Sequence, residues 1–339
     1  MLSYVYHPAF LEHALPGHPE RPERLLRVMT VLEESGALAR LVRLEAQPVD
    51  EDLLCRVHAR GHVERVRRAS EAGPVHLDPD TYVTSRSYEA ALVAAGSAVV
   101  ATRAVLEEGA AAVFVLCRPP GHHATRTQAM GFCLFNNVAV AARYALDRGV
   151  RRVAIVDFDV HHGNGTQAIF AQEPRVLFFS VHQHPLYPWS GQIEETGAGN
   201  CVNVPLPAGV GDTGYTRVAR EVLLPLLRRF DPELILVSAG YDAHWADRLA
   251  GMRLSIGGYA RLAQILREAT EDKIGVVFTL EGGYHLDALA YGVLACVRVF
   301  LGEKEVVDPV GPPPAPEEPV PEDVLAAIKA KHNLSGRTA

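Results

Sequence analysis

Six short apolar runs, most of them rich in β-branched residues, alternate with longer amphipathic stretches, and that alternation limits the folds open to this chain. The runs are Ser3–His7, Val113–Leu116, Val153–Asp157, Val176–Val181, Leu234–Ser238 and Val276–Leu280. Helical periodicity is expected between them over Pro22–Ser35, Ser87–Glu108, Asn136–Asp147, Tyr215–Arg229, Ser255–Thr270 and Leu286–Leu301. Pro22 suits the first turn of its helix. Continuous apolar strands separated by helices predict an α/β fold with a mostly parallel sheet covered on both faces.

The bulk numbers bound the rest. At 339 residues, 48% hydrophobic and 22% charged, the chain can form one large globular domain or two small ones. No apolar run approaches the roughly 20 residues of a membrane helix, so no membrane partner is expected. MLSYVYHPAF lacks the basic and apolar regions of a signal peptide. Five scattered cysteines without a C-x-x-C pair fit a reducing cytoplasm, the expected location. A net charge of −7 argues against direct nucleic-acid binding. The stretch Asp308–Glu322, DPVGPPPAPEEPVPE, is expected to be extended and polyproline-like, with a short helix over Asp323–His332. The expected division is a catalytic domain over 1–304 and a Pro-rich tail over 305–339 that extends passively into solvent.

Unusual residues fall where the apolar runs end. VFVL leads into CRPPGHHA, VAIV into DFDVHHGNG, VLFF into SVHQHPLYP, LILV into SAGYDAH and VVFT into LEGGYH. The carboxyl ends of strands in an open parallel sheet share one rim, where ligands bind. Five polar, Gly-rich clusters from distant segments would therefore meet in one crevice. Strand alternation puts Asp157, Asp159 and His161 on one face, with no Lys or Arg among them to neutralise the carboxylates. That set suits zinc or a similar divalent ion, although capping carboxylates and a buried histidine are the plainer alternative. Asp242 could add a ligand from a neighbouring strand end, or be a turn residue. His122 and His123, presented by a Pro-Pro-Gly loop, could act as general base and acid beside a metal, or be surface histidines. Tyr284 could donate to a developing oxyanion, or be structural. Gly131-Phe132 and Tyr187-Pro188 could wall a narrow apolar slot.

RPPGHHA, GFCLFNN, DFDVHHGNGT, SAGYDAH and LEGGYH, with GHPERPERL (Gly17–Leu25) before them, resemble the signatures of the histone deacetylase and acetylpolyamine amidohydrolase superfamily. The matches run in order over about residues 1–302. Asn164, LEGGYH and the GAGN–VNVPLP stretch resemble its class II branch and bacterial relatives. The resemblance implies a single-domain arginase–deacetylase fold, an eight-stranded parallel sheet flanked by helices. It implies one zinc ion held by Asp159, His161 and Asp242. Asp157 then orients His122 instead of binding zinc, His123 is the principal general base, and Tyr284 is the oxyanion donor. Phe132 and Tyr187 would flank an acyl-lysine tunnel, with the Gly131 carbonyl contacting substrate and Asp80 at the rim. Arg24 matches an arginine lining an inner acetate-exit channel. A structural potassium ion is also implied, held by Asp157, Asp159, His161 and Ser180 through side-chain and backbone oxygens. Asn164 stands where class I members have an aspartate beside the second histidine. An amide holds an imidazolium less well than a carboxylate, so His123 is expected to be neutral near pH 7.

The expected reaction is zinc-dependent removal of acetyl or other acyl groups from lysine side chains or small acylated amines. Leu249 stands where polyamine-selective relatives carry a glutamate, which tilts the expectation away from acetylpolyamines. A two-manganese arginase-like hydrolase would need a second aspartate pair near Asp242, and none is present. A non-catalytic acyl-lysine-binding module would not need the ligands, both histidines and Tyr284 together. A homo-oligomer is possible.

Overall fold

A computed structural model describes residues 1–270 and 274–334. Its centre is a parallel sheet of eight strands. Among the described residues, ten strands occur in chain order: β1 Leu2–Val5, β2 Val42–Leu44, β3 Val75–His76, β4 Tyr82–Val83, β5 Ala112–Val115, β6 Val153–Asp157, β7 Val176–Gln183, β8 Cys201–Leu206, β9 Leu234–Ala239 and β10 Val276–Leu280. The sheet order is β2-β1-β5-β10-β9-β6-β7-β8, while β3 and β4 form a separate antiparallel pair. The helices are α1 Glu23–Glu34, α2 Glu51–Val57, α3 Arg60–Ala72, α4 Ser87–Glu108, α5 Asn137–Asp147, α6 Asn164–Phe170, α7 Asp212–Val218, α8 Leu224–Phe230, α9 Ile256–Thr270, α10 Leu286–Phe300 and α11 Glu322–Lys331. Helix α10 packs against α1 and α9, and α5 against α2 and α4.

All six strands and six helices expected from the sequence are present, with small shifts at their ends. The strand expected over Ser3–His7 stops at Val5, because His7 caps a short 3-10 turn over Pro8–Leu11. The helix expected over Tyr215–Arg229 is two helices joined by a wider turn over Ala219–Leu223. Strands β2 and β8, which complete the sheet, do not stand out in the sequence. β8 contains Pro205, whose missing N–H is tolerated because β8 lies at the sheet edge. Helix α4 corrects the expectation that no segment is long and apolar enough to span a bilayer. By length and composition it qualifies, but 72% of its most apolar window is buried inside the fold. It is apolar all round because it is a core helix.

The tail does not extend passively. Glu318 bridges to Val210, and its N–H donates to the Gly209 carbonyl at 2.7 Å. Val320, Leu325 and Ile328 are buried in the main core. Arg217 pairs with Glu322 at 2.8 Å, and Trp245 donates through Nε1 to the Gly311 carbonyl at 3.0 Å. The physical reason is that α11 has an apolar face, so burying it against the edge of the sheet outweighs leaving the helix free. Ile328→Ala should weaken this docking by about 2–4 kcal/mol. The expected result is faster proteolytic cleavage within 305–321; an unchanged cleavage rate would show that α11 does not hold the tail.

Candidate active site

All five polar clusters gather at the carboxyl edge of the sheet. Register places Asp157 at the end of β6 between Ser180 of β7 and Ser238 of β9. Beyond Asp157 the strand ends, so alternation no longer governs Asp159 and His161. This sets Asp157 apart from Asp159 and His161, with which alternation alone would group it. Asp157 Oδ2 accepts from His122 Nδ1–H at 2.9 Å and Oδ1 accepts the Asp159 N–H at 3.1 Å, so it faces the histidine pair.

Asp159, His161 and Asp242 instead converge. One ligand atom from each lies within 4.8 Å of the others, and the two carboxylates are fully buried. Asp159 Oδ1 lies 3.1 Å from His161 Nδ1, and Asp242 Oδ2 lies 3.3 Å from the same nitrogen. Asp242 Oδ1 accepts the Val160 N–H at 2.9 Å, but among the described residues Oδ2 is buried without a hydrogen-bond partner. Burial, and then the neighbouring Asp159, push the Asp242 carboxyl up to about 6. Gly240 and Gly282 complete the cradle, because a side-chain carbon at either position would collide with these carboxylates. Two buried carboxylates, one oxygen left orphaned and one imidazole make a donor set that fits a divalent cation, zinc in particular.

The tandem histidines differ in environment. Burial opposes charge on His122, but Asp159 and Asp157 outweigh it and hold the imidazole well above its usual range. His123 donates from Nδ1 to Asn164 Oδ1 at 2.7 Å, which leaves Nε2 as the free base. Burial, followed by its neighbours His122 and His161, pushes His123 well below its usual range. Asn164 acts in the opposite direction, so burial more than the amide keeps His123 neutral. His162 belongs to a separate network, with Ser190 and Gln167 at 2.8 and 3.0 Å.

Aromatic rings surround these groups. Tyr187 lies edge-on to His123 with centroids 5.2 Å apart, and Phe132 edge-on to Tyr284 at 5.7 Å. Gly131 takes φ 55°, and a side chain there would strike the His123 ring, so glycine lets this turn approach the site. Thr81 Oγ1 accepts the Phe132 N–H at 3.0 Å, and Asp80 Oδ1 accepts from the Thr81 hydroxyl at 3.2 Å. Burial, then Asp78, raises the Asp80 carboxyl. Arg24 is fully buried, 5.0 Å from the Tyr284 ring centroid, and donates through Nε to the Gly283 carbonyl at 2.6 Å. The Ser180 hydroxyl meets His182 Nδ1 at 2.9 Å, and Leu249 sits in the loop after Asp242 with its N–H donated to Asp247 at 3.0 Å.

Three contributors do not emerge from sequence reasoning. Glu281 accepts the Gly121 and His122 N–H groups at 2.6 and 3.1 Å and the Ser238 hydroxyl at 3.1 Å, fixing the backbone that carries the histidine pair. Its signal is in the sequence, because it is an acid directly after the five buried residues of β10, much as Asp157 follows four buried residues in β6. Glu20 lies between two buried arginines, and Asp247 binds backbone beside Tyr284.

Comparison with known proteins fits this geometry. The model of the histone deacetylase domain matches residues 18–300. The chain belongs to the histone deacetylase family. Similar family members include a probable deacetylase of Archaeoglobus fulgidus, 38% identical over 346 residues that cover 97% of this chain and 94% of that protein. A histone deacetylase-like amidohydrolase of Pseudomonas aeruginosa is 41% identical over 306 residues, covering 88% of this chain and 80% of that protein. The crystal structure of the HDA15 HD domain matches with a TM-score of 0.88 and 35% identity, over 98% of this chain and 93% of that one. The single eight-stranded α/β domain is thus a histone deacetylase fold, and the family's deacetylase or amidohydrolase activity on acylated lysine or amines applies at that level. Histone deacetylases generally depend on zinc, and here Asp159, His161 and Asp242 are the residues that could hold it.

Proposed function

We propose that this histone deacetylase family member is a zinc-dependent amidohydrolase that removes acetyl or other acyl groups from lysine side chains or small acylated amines. The observation that carries the reading is the orphaned Asp242 oxygen, buried with Asp159 and His161 beside two histidines of opposite charge preference. Zinc held there supplies Lewis-acid polarisation of the amide carbonyl and of the attacking water. His123 Nε2, neutral and unshared, takes a proton from that water. His122, kept charged by Asp159 and by its hydrogen-bonded partner Asp157, delivers a proton to the leaving nitrogen. The two roles follow from environments that push two like groups apart. The Tyr284 hydroxyl donates to the developing oxyanion, while Phe132 and Tyr187 exclude water around the acyl chain. Arg24 lines an inner exit for the carboxylate product. Leu249 favours acyl-lysine over acetylpolyamine, since it offers no negative charge to a polyamine chain.

The test is kcat/KM on acetyl-lysine peptides, acetylpolyamines and longer acyl amines at fixed zinc. Acyl-lysine peptides should lead the panel, and a clear preference for acetylpolyamines would overturn the substrate assignment. Tyr284→Phe should lower amide turnover by about 10²–10³-fold while bound zinc stays at one ion per chain. Unchanged turnover would remove Tyr284 from the reaction.

A further inference from the structure

The peptide unit that joins Gly283 to Tyr284 is held at both ends by charged side chains from distant parts of the chain. Its carbonyl accepts from Arg24 Nε at 2.6 Å. Its N–H donates to Asp247 Oδ2 at 2.6 Å, and the same oxygen accepts the His285 N–H at 3.0 Å. Asp247 is 5% exposed and, among the described residues, forms no salt bridge. Its other oxygen accepts the N–H of Leu249. All the hydrogen bonds recorded to this carboxylate therefore come from backbone.

The position explains why a charge is useful there. Gly283 has φ 119°, a conformation in which a glycine peptide can rotate at little cost. Rotation of that unit would reorient the Tyr284 side chain, which packs edge-on against Phe132 and lies 5.0 Å from the Arg24 guanidinium. A carboxylate on the N–H side and a guanidinium on the carbonyl side oppose the rotation with charge-assisted hydrogen bonds. The carboxylate also lies at the N-terminus of α10, where the exposed N–H groups and the helix dipole favour negative charge. We infer that Asp247 is a positioning residue that fixes the Tyr284 hydroxyl and ties it to the Leu249 loop.

This inference rests on the role of Tyr284 given under Proposed function, and the experiment separates the two. Asp247→Asn keeps the shape but replaces one acceptor oxygen with a donor that faces two N–H groups. In the zinc-loaded full chain it should lower kcat about tenfold to a hundredfold with KM changed less than about twofold, since a small misplacement of a reacting group costs on that scale. In the Tyr284→Phe background the same substitution should change kcat less than about twofold, because the hydroxyl it positions is gone. Equal losses in both backgrounds would overturn the inference, as would unchanged kcat in the single variant. Full turnover by Tyr284→Phe alone would overturn the role of Tyr284 and this inference with it. If Asp247→Asn does not fold, Asp247→Glu, which displaces the carboxylate by one methylene, replaces it with the same expectations.

Discussion

Asp242→Asn should lower amide turnover by more than about 10³-fold and reduce bound zinc from one ion per chain to none, measured by metal analysis after gel filtration. The magnitude follows from the loss of Lewis-acid polarisation, which contributes several kcal/mol to the transition state, at about 1.4 kcal/mol per tenfold. The same variant should behave in the opposite sense when stability is measured without metal. Asp242 is fully buried, close to the Asp159 carboxylate, and has one oxygen without a partner. With no cation present, two desolvated negative charges share one imidazole, and neutralising one of them should raise Tm in chelator. Zinc should raise the Tm of the unsubstituted protein and leave that of Asp242→Asn unchanged. A variant that retains zinc and turnover would remove Asp242 from the metal centre.

Much of this site was legible because its residues break the pattern around them. Acids and imidazoles at the ends of Val153–Asp157 and Leu234–Ala239 have no place in an apolar strand unless something binds them. The grouping of Asp157 with Asp159 failed because alternation holds only while the strand continues, and β6 ends at Asp157. The sheet's edge strands carry no clear sequence signal, for other reasons. β2 is three residues long and mostly exposed, and Pro205 in β8 argues against a strand until its edge position is known. The docked tail was hidden because three buried residues, Val320, Leu325 and Ile328, are dispersed among prolines and charges. Asp247 and Glu20 were hidden differently. Asp247 meets Tyr284 across 37 residues and Glu20 meets Arg118 across 98, pairings that no periodicity encodes; only the Glu20–Arg24 half of that cluster has the i, i+4 spacing of a helix.

Glu20→Ala should destabilise the fold by about 3–5 kcal/mol, the scale for removing one partner of a buried charge pair. Glu20 is fully buried, with Oε1 3.0 Å from Arg24 Nη1 and Oε2 2.6 Å from Arg118 Nη2; Arg118 Nε also binds Oε1. Both arginines are themselves fully buried. Arg118 donates further to the Phe10 and His13 carbonyls at 2.6 and 2.8 Å, so it ties the N-terminal segment to the loop before His122. Alanine would leave two guanidinium groups facing each other without the carboxylate between them. At roughly 2–4 °C per kcal/mol for chains of 150–250 residues, Tm should fall by on the order of 10 °C. The exposed pair of Glu12 with Arg86 gives the contrast, since Glu12→Ala should cost less than about 1 kcal/mol. Acid should reproduce the effect. Burial raises the Glu20 carboxyl, but Arg118 outweighs it and lowers the group to about 2. A lowered carboxyl contributes stability that is present above its unfolded value near 4.5 and lost as pH falls toward 2, about 3 kcal/mol at 1.36 per unit. His13, held down to about 3 chiefly by burial, works in the same direction over a higher range, losing its contribution as pH falls from 6.5. Melting between pH 7 and 3 should therefore show a continuous decline in the unsubstituted protein and a shallower one below pH 4.5 in Glu20→Ala. A Tm for Glu20→Ala equal to that of Glu12→Ala would mean that the buried arginines are satisfied by backbone carbonyls alone.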